Sequence, residues 1–193
     1  MTKTIGFFGG SFDPIHFGHI GLALQLMEIH KLDEVLFCPV QCSPFKLNSP
    51  PMASPSHRLQ MLKIVLEEIP KFRLLSSEID REGPSYTVDT LRELHRTTPR
   101  LRLLLSEESA LHFEKWKNPE ELIRLAPPLI GTRPGTELTG PFSEILKKGL
   151  TRTKAFETSS SEIRERLNKK LYCGHLIPGK ALDYIHAHRL YSP

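Results

Sequence analysis

Residues 5–8 form an apolar run, Ile5-Gly6-Phe7-Phe8, that hands over to Gly9-Gly10. From residue 20 to residue 31, Leu22, Ala23, Leu26, Met27 and Ile29 recur at helical spacing. A short buried strand that turns through glycine straight into an amphipathic helix is the opening of an α/β unit. The same alternation continues. Strand candidates lie at 34–38, 72–75, 101–105 and 128–131. Helical patterns lie over 59–69, from Thr87 through Leu94, at 119–125 and at about 179–188. Thr87 is read as the cap of its helix. Ser159 and Glu162 fit a capping box that opens another helix, with Ile163, Leu167 and Leu171 as its buried stripe. Alternating elements predict a Rossmann-like, doubly wound, mostly parallel sheet with helices on both faces and a C-terminal helical segment. The whole chain, 1–193, is read as one domain.

In such sheets ligands bind beyond the carboxyl ends of the strands. The loops at 9–18, 39–56 and 106–118 all follow strand candidates. The first carries Gly9-Gly10-Ser11-Phe12-Asp13-Pro14-Ile15-His16-Phe17-Gly18-His19. Two glycines let backbone approach a ligand, and a helix start favours an anion. A nucleotide phosphate is the anion this predicts, with the histidines meeting the charge that develops on it.

Composition narrows the classes. Net charge is +4, with basic residues scattered among acidic ones, which argues against a nucleic-acid surface. The local cluster Lys147, Lys148, Arg152 and Lys154 reads as a solvated face. No apolar run approaches the ~20 residues of a membrane span. The start, Met1-Thr2-Lys3-Thr4, leaves no room for a signal peptide, so the expected location is the cytoplasm. Three cysteines, Cys38, Cys42 and Cys173, make no disulfide framework, and Cys38-x-x-x-Cys42 lacks the second pair of a zinc site. Cys173, His175, His186 and His188 have C-x-H and H-x-H spacing, which reads as surface helix histidines before a metal site, and His57-Arg58 reads either as a phosphate contact or as a helix start with an exposed arginine. Neither G-x-x-x-x-G-K-[ST] nor G-x-G-x-x-G is present, which disfavours P-loop enzymes and dinucleotide-binding dehydrogenases.

What remains is H-x-G-H on a strand-to-helix turn, with the basic helix start Ser159 to Arg166. Together these resemble the nucleotidyltransferase superfamily that shares H-x-G-H with class I aminoacyl-tRNA synthetases. Within it the chain resembles bacterial nicotinate mononucleotide adenylyltransferases. The resemblance runs almost the full length. It is carried by the opening motif, by Gly83-Pro84-Ser85-Tyr86-Thr87, by the aromatic stretch Phe113 to Trp116, by Thr132-Arg133-Pro134-Gly135, by the Ser159 segment and by the chain's ending at Ile185 to Tyr191. Two segments depart from the family pattern. Its G-x-D is Ser106-Glu107-Glu108 here, and its P-N-x-x-P-P-H-K is Pro39-Val40-Gln41-Cys42-Ser43-Pro44-Phe45-Lys46.

The resemblance implies transfer of the adenylyl group of ATP to nicotinate mononucleotide, giving deamido-NAD⁺ and pyrophosphate. His16, His19 and Arg164 would be catalytic. Gly9, Gly10, Ser11, Phe12, His16, Gly18, His19, Ser159, Ile163 and Arg164 would bind ATP. Lys46, Ser85, Tyr86, Thr87, Glu108, Trp116 and Arg133 would hold the acceptor. Mg²⁺ would accompany ATP, with no protein metal cage. The partners implied are these two small molecules, with no nucleic acid and no membrane, and a homo-oligomer is left open. The rival readings are a sibling enzyme acting on the amidated mononucleotide or phosphopantetheine, and a non-catalytic nucleotide-binding relative.

Overall fold

The structure is a computed structural model, and it describes residues 2–44, 50–132, 137–154 and 157–192. Six strands form one parallel sheet. They are β1 (Ile5–Gly10), β2 (Glu34–Pro39), β3 (Phe72–Leu74), β4 (Leu101–Ser106), β5 (Pro128–Thr132) and β6 (Leu150–Arg152). Their order is β3-β2-β1-β4-β5-β6, the doubly wound Rossmann order. The helices are α1 (Phe17–Ile29), α2 (Pro55–Leu66), α3 (Thr87–His95), α4 (Glu107–Leu111), α5 (Pro119–Leu125), α6 (Ser143–Lys147), α7 (Ser160–Asn168) and α8 (Gly179–Ala187).

The chain divides into two compact units. The first comprises residues 1–9, 22–36 and 86–155. Its frame is β1, β4, β5 and β6, with Phe7 opposite Leu103, Leu105 opposite Ile130 and Gly131 opposite Thr151. Leu101, Leu103, Leu104 and Leu105 are all buried. A strand buried on both faces reads as a near-continuous apolar run, and this one does. The second unit comprises residues 10–21, 37–85 and 156–193. Its core stacks three phenylalanines, with Phe37 5.6 Å from Phe12 and 4.8 Å from Phe72 between ring centroids. Met61, Leu62, Val65 and Leu66 of α2, Ile163 and Leu167 of α7, and Ala181 and Ile185 of α8 are also buried there. Each large apolar side chain so buried contributes about 1.5–3 kcal/mol.

Several sequence expectations are corrected. The first helix starts at Phe17, three residues before residue 20, and Ile29 at its end is exposed. Tyr86, not Thr87, is the cap position of α3, and Thr87 is its first helical residue. Ser159 does cap α7 by accepting from the Glu162 N–H at 3.1 Å. That helix stops at Asn168, however, which leaves Leu171 outside it and exposed. The basic cluster near 150 contains β6, a strand of three residues too short to leave a periodicity. Among the described residues no helix is long and apolar enough to cross a membrane.

Candidate active site

The turn after β1 is built inside the second unit. The Gly10 carbonyl accepts from the Val40 N–H at 3.0 Å. Phe12 has φ +47°, a left-handed conformation uncommon for an aromatic residue, and is only 1% exposed. Its ring folds back over Gly10, where a Cβ would lie 3.1–3.3 Å from ring carbons. Any larger residue at position 10 would press on the phenyl ring, which would have to give by a few tenths of an ångström. The Phe12 ring meets His19 edge-on, 5.0 Å between centroids. Phe12 thus backs the histidine by packing and does not present its own face to solvent.

His16 is 5% exposed. The Gly18 N–H donates to its Nδ1 at 3.1 Å. The neutral ring accepting at Nδ1 carries its proton on Nε2, so this backbone contact selects the tautomer. Burial pulls the His16 pKa down from 6.5 to about 4. At neutral pH the ring is an uncharged donor through Nε2–H. The His19 ring stacks on it, 3.7 Å between centroids at 28°. The expectation that the α1 start offers free amides to an anion is corrected. The Phe17 N–H donates to the Leu176 carbonyl at 3.1 Å, and the Gly18 N–H is taken by His16. What the helix start presents there is its dipole and the two imidazoles.

Gly18 makes this arrangement possible. A Cβ on it would sit 2.9 Å from His16 Cε1, 3.0 Å from Nδ1 and 3.2 Å from Thr158 Cγ2. Gly18→Ala should leave the thermal midpoint nearly unchanged, since alanine favours a helix. The His16 ring must move, and kcat for the reaction proposed below should fall by roughly tenfold, about 1.4 kcal/mol of barrier. A variant with unaltered kcat would show that the His16 position is not set by Gly18.

The α7 start docks on the same turn. Arg164 donates through Nη1 to the Asp13 carbonyl at 2.7 Å and through Nη2 to Ser161 Oγ at 3.1 Å. Ser160 Oγ donates to the Pro14 carbonyl at 2.9 Å. His16, His19, Gly18, Ser159 and Arg164 are therefore grouped within one unit. Ile163 lies in α7 with its side chain fully buried, so it supports the helix from the core.

Arg58 corrects a further expectation. It is not exposed at all. It donates to the carbonyls of Ala53 (3.3 Å), Ser11 (2.8 Å) and Gln41 (3.3 Å). One guanidinium thus ties the turn after β1 to the loop after β2. Burial draws its pKa below the ordinary arginine value, and Asp13 and Tyr191 oppose that. Sequence does carry a signal for it. Arg58 stands in register with Met61, Leu62 and Val65, on the apolar stripe of α2. Asp13, in the opening motif, has a role with no local signal in the sequence. It is 4% exposed and accepts at Oδ2 from the Met52 N–H (2.8 Å) and at Oδ1 from the Ala53 N–H (3.0 Å) and the Tyr191 hydroxyl (2.7 Å).

The residues expected at the acceptor are placed as follows. Buried Ser85 holds the 41–42 loop: its Oγ accepts from the Gln41 N–H and its own N–H donates to the Cys42 carbonyl, both at 2.9 Å. In the first unit, Tyr86 and Thr87 lie at the α3 start. Lys117 Nζ sits 4.2 Å above the Tyr86 ring and 3.0 Å from Asp89 Oδ2. Trp116 is half-buried, 5.7 Å from the Phe113 ring. Glu108 is exposed in α4. Ser106 uses its hydroxyl to cap that helix, accepting from the Ser109 N–H at 3.2 Å. Lys46 and Arg133 lie outside the described residues.

A doubly wound sheet whose first turn carries paired imidazoles and a docked arginine defines a nucleotide-handling α/β protein. Comparison with known proteins places it further. The model of the cytidylyltransferase-like family matches residues 7–166, and the chain belongs to that family. Relatives that match it over nearly its full length include nicotinate-nucleotide adenylyltransferases. The Bacillus subtilis protein of that name is 36% identical over 192 residues, covering 98% of this chain and 99% of the relative. A probable nicotinate-nucleotide adenylyltransferase of Methylacidiphilum infernorum is 32% identical, covering 100% and 96%. The Plasmodium falciparum nicotinic acid mononucleotide adenylyltransferase, solved in complex with NaAD, superimposes with a TM-score of 0.76 at 23% identity, covering 98% and 97% of the two chains. That likeness carries the fold.

Proposed function

We propose that this protein transfers the adenylyl group of ATP to nicotinate mononucleotide, releasing pyrophosphate and forming deamido-NAD⁺. The observation that carries the reading is the neutral, tautomer-fixed His16 stacked on His19, on the turn where Arg164 is docked. A phosphate oxygen of the mononucleotide attacks the α-phosphorus of ATP, and the bond from that phosphorus to the β-phosphate oxygen breaks. No protein nucleophile is needed, so catalysis rests on positioning and charge stabilisation. His16 donates from Nε2 as negative charge builds, with His19 beside it. Arg164 and the Ser159 helix start face the departing phosphates, a role suited to a guanidinium that stays charged. Tyr86, Thr87, Ser85, Glu108 and Trp116, with Lys46 and Arg133, hold the acceptor, the indole stacking on its pyridine ring.

ATP-dependent nucleotidyltransferases generally use a divalent cation, and Mg²⁺ is our reading here. The turn's carboxylate does not fit a cage, because Asp13 is already committed to Met52, Ala53 and Tyr191. Among the described residues no three His, Cys, Asp or Glu side chains group as metal ligands. Phosphate oxygens and water would hold the ion. We take residues 1–193 to act as one nucleotidyltransferase domain, located in the cytoplasm.

The test is pyrophosphate release from ATP and Mg²⁺ with nicotinate mononucleotide and its amide offered separately. A higher kcat/KM with the acid is the expected result. Preference for the amide would reassign the acceptor within the same mechanism. No turnover with either would overturn the proposal.

A further inference from the structure

The C-terminal tail ends inside the second unit. After α8 the backbone takes left-handed conformations at Arg189 (φ +51°) and Tyr191 (φ +61°). Such conformations are unfavourable for residues with side chains and persist only where surroundings hold them. What holds Tyr191 is its hydroxyl, 2.7 Å from Asp13 Oδ1, with the residue only 6% exposed. Burial and the neighbouring carboxylate push the Tyr191 pKa up, so the phenol keeps its proton and is the donor. The tail is anchored from a second side. Tyr184 of α8 bonds His57 Nδ1 through its hydroxyl at 2.9 Å, and His57 precedes Arg58 in α2.

Asp13 is the node on which these contacts converge. Its carboxylate takes Tyr191 and the amides of Met52 and Ala53. Its carbonyl takes Arg164 Nη1, which also lies 3.7 Å from Asp13 Oδ2. From the tail to Arg164 is therefore a path of two contacts through one residue, and His16 follows three residues along the same turn. The match to the family model ends at residue 166, so the tie joins Asp13 inside the matched segment to Tyr191 outside it.

We propose that Tyr191 is a positioning residue for adenylyl transfer, its hydroxyl setting the Asp13 node that places Arg164 and His16. The inference rests on the function proposed above. It does not touch substrate in this role. A displaced node misplaces the groups that act on the transition state, and misplacement of this kind lowers kcat more than it raises KM.

The experiment is Tyr191→Phe, which keeps the buried ring and removes only the hydroxyl. The expected result is a kcat about tenfold lower with KM for ATP within twofold of the parent. Amide hydrogen exchange at Met52 and Ala53, which report the Asp13 carboxylate directly, should quicken by about tenfold. In Asp13→Asn, adding Tyr191→Phe should change kcat by less than about twofold, because both act through one bond. A purely structural tyrosine would lower the unfolding midpoint and leave kcat per folded molecule intact, and that outcome overturns the proposal. So does unchanged exchange at Met52 and Ala53. If the parent protein turns over neither mononucleotide, the functional reading fails, and the exchange experiment alone still decides the Tyr191–Asp13 tie.

Discussion

Replacing His16 by alanine is expected to lower kcat by roughly two to three orders of magnitude, the loss typical of one preorganised donor at developing charge. KM for ATP should change much less, since the Nε2–H is worth most when the transition state forms. His16→Gln, which restores an N–H donor at similar reach, should recover part of the rate. The protonation state sharpens the test. With its pKa lowered to about 4, His16 carries no charge from pH 6 to 8, so its contribution to kcat should not titrate in that range. Stability should depend on the same group. Its folded pKa lies below its unfolded value of 6.5, so the unfolded chain binds the extra proton between the two. The contribution is fully present above pH 6.5 and is lost as pH falls toward 4. It is on the order of 3 kcal/mol. Urea titrations of parent and His16→Ala from pH 7.5 to 4 should show a shallower decline in the variant. Turnover within threefold of the parent would remove His16 from the mechanism.

The fold was legible because its apolar runs are long enough to carry a period. The runs at 5–8, 34–38 and 101–105 became β1, β2 and β4, and 119–125 became α5 without adjustment. What escaped was short or irregular. β6 is three residues among basic ones, and α4 is a five-residue helix after β4, closed by the Ser106 cap. The candidate site was legible where residue type and spacing coincide, as in His16-Phe17-Gly18-His19. It was illegible where chemistry depends on long-range contact. Nothing local tells that Asp13 meets Tyr191, 178 positions away. Ser106 stands where the family pattern has glycine, and its hydroxyl gives a helix cap that the pattern does not foretell. For Arg58, charge argues for exposure. Its place on the α2 stripe argued the other way, and three carbonyls waiting for a donor decided the matter.

That resolution makes Arg58 the residue whose loss should cost the fold most. Arg58→Ala removes hydrogen bonds from the carbonyls of Ser11, Gln41 and Ala53 at once and opens a cavity in the core. It also takes a cation from beside the Asp13 carboxylate, which is 4% exposed. Breaking a buried ionic arrangement from one side costs about 3–5 kcal/mol. For a chain of this length, at about 2–4 °C per kcal/mol, the thermal midpoint should fall by roughly 10 °C or more. Arg58→Met separates the contributions, since it refills much of the volume and restores no donor. If packing dominated, Met would recover most of the midpoint. The geometry argues that it will not, because a thioether leaves the three carbonyls and the carboxylate as they are in the alanine variant. Arg58→Lys keeps the charge but reaches at most part of a fork that spans three carbonyls, so it should fall between the parent and the methionine variant. A methionine variant within 1 kcal/mol of the parent would mean that the carbonyls find other donors. The arginine would then be a convenience of packing and not the tie that holds the turn.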